Sequence, residues 1–272
     1  MTASAARAAV GPLLRDWRER RRLSQLELSL GAGVSARHVS FVETGRSRPS
    51  AEMVLQLADQ LEVPLRERNQ LLLAAGHAPV FGQHELDEPE MTPVRDALEL
   101  ILKGHDPYPA VVVDRAWERL AANRAVGLLI ERVAPELLEP PLNVMRASLH
   151  PDGLAPHIAN LGEWRAHLLS RLRRQTSLTG DPALATLLEE VSAYPGPDGN
   201  DPGEGSGPLG DIAVPLRLRT SVGELAFIST VATFGTAIEV TASELSIESF
   251  FPADEQTASA LRAYVQRLGS PG

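Results

Sequence analysis

Nine arginines fall within the first fifty residues, at positions 7, 15, 18, 20, 21, 22, 37, 46 and 48, against the carboxylates of Asp16, Glu19, Glu27 and Glu43. That head carries +5 and the remainder of the 272-residue chain −14, for −9 overall. Guanidinium groups at such density attract phosphate, whereas an acidic body keeps the rest of the molecule off a polyanion. The Arg-Glu-Arg-Arg-Arg run at 18–22 also reads as a plain solvated charge run. Catalytic chemistry has little to work with. Cysteine is absent, which removes disulfides, thiolate nucleophiles and cysteine–zinc sites, and there is no G-x-S-x-G run. His150 and His157, with Asp152 between them, lack metalloprotease spacing, and no metal site is expected. Glu189 and Glu190 are neighbours in a leucine-rich helical stretch, where adjacent positions point apart. Residues 31–36, GAGVSA, fit G-x-G-x-x-G/A formally, but they follow a helical segment instead of the strand that a dinucleotide turn requires. An enzyme is not expected.

The arginines must be positioned by local structure, and the serines near them are helix signals. Leu13, Leu14 and Trp17 recur at helical spacing. Ser24 stands three residues before Glu27, a capping-box pattern, ahead of Leu26, Leu28 and Leu30, which supply apolar surface for a short second helix. Gly31-Ala32-Gly33 stops it. Ser35 then caps a third helix with Val39 and Val42 on one face, ended by Thr44-Gly45. Two short helices joined by a glycine-containing turn present the start of the second to base edges in a major groove. Ser50 caps a segment with Val54, Leu57, Ala58 and Leu61, and Pro64 starts another with Leu65, Leu71, Leu72 and Leu73. Five helices over residues 1–80 are expected.

The run LSQLELSLGAGVSARHVSFVETGRSRPSAEMVLQLADQLEVP resembles the Cro/C1-type repressors, the XRE family, and the likeness extends over about Leu13 to Ala75. It implies that Gln25 anchors the DNA backbone and braces the reading helix, and that Ala36, Arg37 and Phe41 face bases. Arginine can donate two hydrogen bonds to guanine, whereas Ala36 and Phe41 offer apolar contact to a thymine methyl. Arg37 is therefore the expected specificity residue. Ser35, His38 and Ser40 lie within reach of phosphate or sugar, with His38 equally read as solvated, and Arg46 and Arg48 hold the backbone from the following loop. A carboxylate facing phosphate would be repelled, so Glu43 is read as structural.

Residues 81–106 read as a linker rich in proline, histidine and acids, followed by an amphipathic connecting helix with Val94, Leu98, Ile101 and Leu102. The remainder, 107–272, alternates signals. AVVVDRAWERLAA reads as a hairpin turning at Asp114-Arg115, NVMRASLHP as a strand, Leu161–Arg173 and Pro182–Tyr194 as helices, and PGPDGNDPGEGSGPLGD as a flexible insertion. IAVPLRLRT, GELAFISTVATF and AIEVTASELSIESFFP read as three strands before a last helix at Asp254–Leu268. Their order resembles a PAS-like sensor. More specifically, YPAVVVDRAWERLAANRAVGLL, NVMRASLHPDGLAPHIANLGEWRAHLLSRLRRQ and the closing VPLRLRTSVGELAFISTVATFGTAIEVTASELSIESFFPADEQT resemble the MmyB-like ligand-binding domain, over about Pro107 to Ala263. The expected fold is thus a mainly α five-helix Cro/C1-type helix-turn-helix domain plus an α+β PAS-like domain with an antiparallel sheet.

That resemblance implies a fatty-acid-like ligand and no resident cofactor. Read from the residues, a sheet and its covering helices permit an apolar hole lined by Trp117, Leu120, Phe227, Ile228 and Phe234, with Arg146, His150 and Asn160 to orient the guest. Arg146 could pair with a carboxylate head group. Alternatively, Trp117 and the phenylalanines are ordinary core, and His150, before Pro151-Asp152-Gly153, closes a turn. The expected function is a cytoplasmic homodimeric regulator of transcription that binds a double-stranded DNA operator and responds to a small apolar ligand. Its N-terminus lacks a secretory signal pattern and no run is long enough to span a bilayer, so no membrane is expected as a partner. The alternative reading makes the C-terminal domain a docking or dimerisation module without a guest.

Overall fold

A computed structural model describes residues 9–197 and 214–269, and divides the chain into two units: residues up to His84 with Thr236–Ser243, and Glu85–Gly235 with Glu244 onward. The first unit is built on α1 (Val10–Arg20), α2 (Gln25–Gly31), α3 (Ala36–Glu43), α4 (Ala51–Gln60) and α5 (Leu65–Ala75). Their ends follow from the sequence. Ser24 accepts from the Glu27 amide while the Glu27 carboxylate accepts from the Ser24 amide, closing a capping box, and the Ser35 and Ser50 hydroxyls accept from the amides of His38 and Met53. Gly33, at φ +65°, turns the chain between α2 and α3, a left-handed conformation that favours glycine. Leu14, Trp17, Leu28, Val39, Val42 and Leu57 close the core. Of the three leucines expected to supply the α2 face, only Leu28 is buried, whereas Leu26 and Leu30 are 59% and 73% exposed. Helical residues two apart point to opposite sides, so the three could not share a face.

The second unit begins with α6 (Thr92–Gly104), then β1 (Ala110–Val113), β2 (Arg119–Ala122), α7 (Val126–Ile130), α8 (Val144–Leu149), α9 (Leu161–Thr179) and α10 (Pro182–Ala193). After the segment outside the described residues come β3 (Leu216–Thr220) and β4 (Gly223–Thr233). The β4–β5 connection carries α11 (Val240–Ser243), and β5 (Ser246–Pro252) and α12 (Glu255–Gly269) end the chain. All neighbours in the β2-β1-β5-β4-β3 sheet are antiparallel, as expected for an α+β domain. β1 is buried on both faces: Val111 and Val113 join the main core, and Ala110 and Val112 join Leu98 and Leu102 of α6 in a second cluster. Alternation along the pleat produces that division.

Two expectations need correction. NVMRASLHP forms α8 instead of a strand, because the Asn143 side chain accepts from the amides of Met145 and Arg146 and starts a helix. AIEVTASELSIESFFP is not one strand: its first half leaves the sheet as residues 236–243 and belongs to the first unit. There the Val240 amide donates to the Gly82 carbonyl at 2.8 Å, and the His84 amide donates to Glu239 Oε1 at 2.8 Å. The start of the stretch read as linker is also pinned, since the buried Asn69 side chain accepts from the amides of Val80 and Phe81 and donates to the Phe81 carbonyl. The expected insertion is described only as far as Pro197.

Candidate nucleic-acid interface and ligand cavity

Helix α3 buries Val39, Val42 and Glu43 and turns its other side outward. Arg37 is exposed there, with Ala36, His38, Ser40 and Phe41 half-buried around it. The Arg37 guanidinium lies 5.1 Å from the centroid of the Phe41 ring and that of Arg46 lies 6.0 Å from it. Phe41 therefore serves as a platform for two cations, which restrains their approach to a polyanion. The Ser35 hydroxyl is occupied as an acceptor by its capping bond at 3.2 Å, and the Ser40 carbonyl accepts from the Thr44 hydroxyl. Arg46 is exposed in the loop after α3. Arg48 is also exposed, but its Nε donates to the Ala75 carbonyl at 3.0 Å and so caps the end of α5.

Beneath this surface one buried carboxylate joins three helices. Glu43 of α3 accepts from Arg18 of α1 through Nε at 2.7 Å and Nη2 at 3.0 Å, and from the Gln25 amide of α2 at 2.8 Å. The fork matches both oxygens, and this bonding holds the Arg18 guanidinium above its ordinary value. Gln25 thus braces α3 through Glu43. The arginine run is divided in role: Arg20 and Arg21 stand 5.0 and 5.4 Å from the Trp17 ring, and Arg21 donates to the carbonyls of Leu61 and Glu62 at the end of α4.

In the second unit a cavity of about 80 Å³ lies between one sheet face and helices α7, α8 and α9. Val111, Leu129, Met145, Trp164 and Phe250 give it apolar walls, with Trp117 beside them. Trp117 sits at φ +67° in the β1–β2 turn, donates from Nε1 to Gln175 Oε1 at 2.7 Å and lies under Arg171 at 4.4 Å. Three further polar side chains line the space: exposed Arg119, half-buried Ser148 and buried Glu248.

Of the eight residues expected at the ligand, only Trp117 lines this cavity. Arg146 donates from Nε and Nη2 to the two oxygens of Glu190, at 2.8 and 2.7 Å, and Glu190 also accepts from the Tyr194 hydroxyl at 2.5 Å. Burial, then the bond to Glu190, push the Tyr194 phenol up to about 12. His150 meets the Tyr194 ring edge-on at 5.0 Å and accepts from the Asp152 amide, and Asn160 ties the start of α9 to β3 through the Pro215 carbonyl and the Arg217 amide. Phe227 is fully buried behind Phe250, while Phe234 packs in the cluster on the opposite face of the sheet. Leu120 and Ile228 also lie off the cavity. Sequence reasoning missed Met145 and Ser148 because α8 read as a strand. It also missed Glu248, although a usable signal was present: an acid two residues before Phe250, in phase with it along a strand.

No described helix is long and apolar enough to cross a membrane, and among the described residues no group of three or more acids and histidines could hold a metal. The family description of the helix-turn-helix matches residues 14–68, and that of the MmyB-like transcription regulator ligand binding domain matches residues 94–263. No curated protein matches the chain.

Proposed function

The chain belongs to the MmyB-like transcription regulators, DNA-binding helix-turn-helix proteins with a ligand-binding domain, and we propose that it reads its operator through the exposed side of α3 and changes operator affinity when a small apolar guest enters the cavity. The observation that carries this reading is Arg37, exposed beside Ser35, Ala36, His38 and Ser40 on a helix whose opposite face is core. A bidentate arginine contact to guanine gives about 1–3 kcal/mol of discrimination, while Arg46 and Arg48 with the Ser35 and Ser40 hydroxyls fix register on phosphate. Gln25 acts on the backbone and on α3 together. One such module reads too few bases for strong selectivity, so the regulator works as a homodimer on an inverted repeat. Its compartment is the cytoplasm.

The guest is apolar because the walls are. A fatty-acid-like ligand, as the resemblance implies, would place only a short stretch of chain in about 80 Å³. Its head group would not meet Arg146, which Glu190 already occupies. The route of response is covalent: residues 236–243 leave the sensor sheet between β4 and β5 and complete the DNA-reading unit. A guest that favours one arrangement of that sheet shifts operator affinity by its differential binding to the two states.

Selection of bound sequences from random duplex DNA, followed by sedimentation of the complex, tests the proposal. Half-sites related by a dyad, one helical turn or a multiple of it apart, and two chains per duplex are expected. A single half-site bound by one chain with undiminished affinity would overturn the dimeric reading, and failure to enrich any sequence would overturn the operator reading.

A further inference from the structure

Apolar walls explain most of the cavity, but they do not explain the carboxyl group among them. Glu248 occupies the middle of β5, paired with Val111 of β1 on one side and Val231 of β4 on the other. The pleat that turns Phe250 into the cavity turns Glu248 the same way, and both line it. The residue is 5% exposed. An ionised carboxylate in such a place is strongly disfavoured unless it is closely opposed.

Its opposition is thin. Arg171 Nη1 of α9 stands 3.4 Å from Glu248 Oε1, at the long limit of a hydrogen bond, and the guanidinium is shared with the Trp117 ring. A side-chain bond with Ser229 of β4 adds to it. Burial outweighs these partners and raises the Glu248 carboxyl toward its neutral form. Glu43 provides an internal comparison. That carboxylate, buried for structure, is gripped at both oxygens by an arginine fork at 2.7 and 3.0 Å and by an amide at 2.8 Å. Glu248 has no such fork, and it faces an open space.

We propose that Glu248 determines the specificity of the cavity: its carboxyl binds the hydroxyl of a small, otherwise apolar and uncharged guest, and it disfavours a guest whose buried end is a carboxylate. The inference rests on the reading of this cavity as the guest site. A hydroxyl can donate to a carboxylate or accept from a carboxylic acid, so it is satisfied in either protonation state. A second carboxylate would place two anions against the single Arg171 guanidinium in a medium of low polarity, and an ammonium would meet the charge of Arg171. Sites built to hydrogen-bond one hydroxyl discriminate well because the analogue lacking it leaves a buried polar group unpaired.

The test measures binding of 1-hexanol and of hexanoate to the full chain at pH 8, by ligand-observed NMR, in the native protein and in Glu248→Leu and Glu248→Gln. The native protein is expected to bind 1-hexanol at least about tenfold more tightly than hexanoate, the size of effect one unpaired buried group produces. Glu248→Leu should weaken 1-hexanol about tenfold, and Glu248→Gln, which keeps hydrogen bonding without a charge, should hold it within about threefold while narrowing the gap to hexanoate. Hexanoate bound as tightly as 1-hexanol by the native protein, a comparison that needs no variant, would overturn the assignment, as would 1-hexanol affinity unchanged in Glu248→Leu; either result leaves the cavity reading standing. Binding of neither molecule would overturn the cavity reading, and the inference with it.

Discussion

Glu43 and Glu248 are 8% and 5% exposed, yet their partners differ. Glu43 is neutralised by a matched fork, whereas burial dominates at Glu248 and lifts its carboxyl above the ordinary 4.5. The sign of the consequence follows. Above 4.5 the unfolded chain ionises Glu248 while the folded chain still holds the proton, so unfolding releases a proton and this residue's contribution falls as pH rises toward the folded value. Glu248→Gln removes that term. Its stability relative to the native protein should therefore improve as pH rises above 4.5 and level off once the folded carboxyl ionises, which urea titrations upward from that pH would measure; a difference independent of pH would contradict the account. Side-chain partners at this scale were mostly illegible in the sequence. Nothing in the spacing of Arg146 and Glu190, 44 positions apart, announces that they pair, because tertiary packing alone brings α8 to α10. Arg37 was easier, since its exposure follows from its position on a helix whose buried face is fixed by Val39 and Val42.

At the scale of elements, the proposed DNA-reading surface depends on the junction of α1, α2 and α3 at Glu43. Gly11 permits the approach of α1 to the end of α3: a Cβ there would meet the Val42 and Glu43 carbonyl oxygens at 2.6 Å. Glu43→Ala would leave the buried Arg18 with only the Leu23 carbonyl at 2.8 Å and the Glu19 carboxylate at 3.8 Å, and breaking a buried ion pair typically costs about 3–5 kcal/mol. Denaturant unfolding should show a loss of that order, together with weaker binding to operator and random duplex alike because α3 loses its brace. A loss below about 1 kcal/mol would mean that the junction is held by packing alone. Element ends were legible where a side chain within three positions sets them, as at Ser24, Ser35 and Ser50. They were illegible where β-branched residues suggested strand but an adjacent cap decided otherwise: Val144 follows Asn143, whose side chain starts α8. The acid in β5 was passed over because strand patterning was read for apolar residues only, although its register with Phe250 already placed it in the core.

Across the whole molecule, a basic head and an acidic remainder divide the work between holding DNA and receiving a guest. The membership of residues 236–243 in the first unit could not be read from the sequence, since AIEVTASELSIESFFP carries continuous strand propensity and gives no sign of leaving the sheet. Everything proposed for the regulator depends on α3 presenting Arg37 to base edges. The most direct test compares Arg37→Ala and native protein on the selected operator and on random duplex over a series of salt concentrations. A loss of about 1–3 kcal/mol on the operator, relaxed selectivity at one base position and nearly unchanged random-duplex binding are expected, in contrast to Arg46→Ala, which should weaken both duplexes alike and lower the salt slope by about one. Equal losses on operator and random duplex for Arg37→Ala would contradict the account.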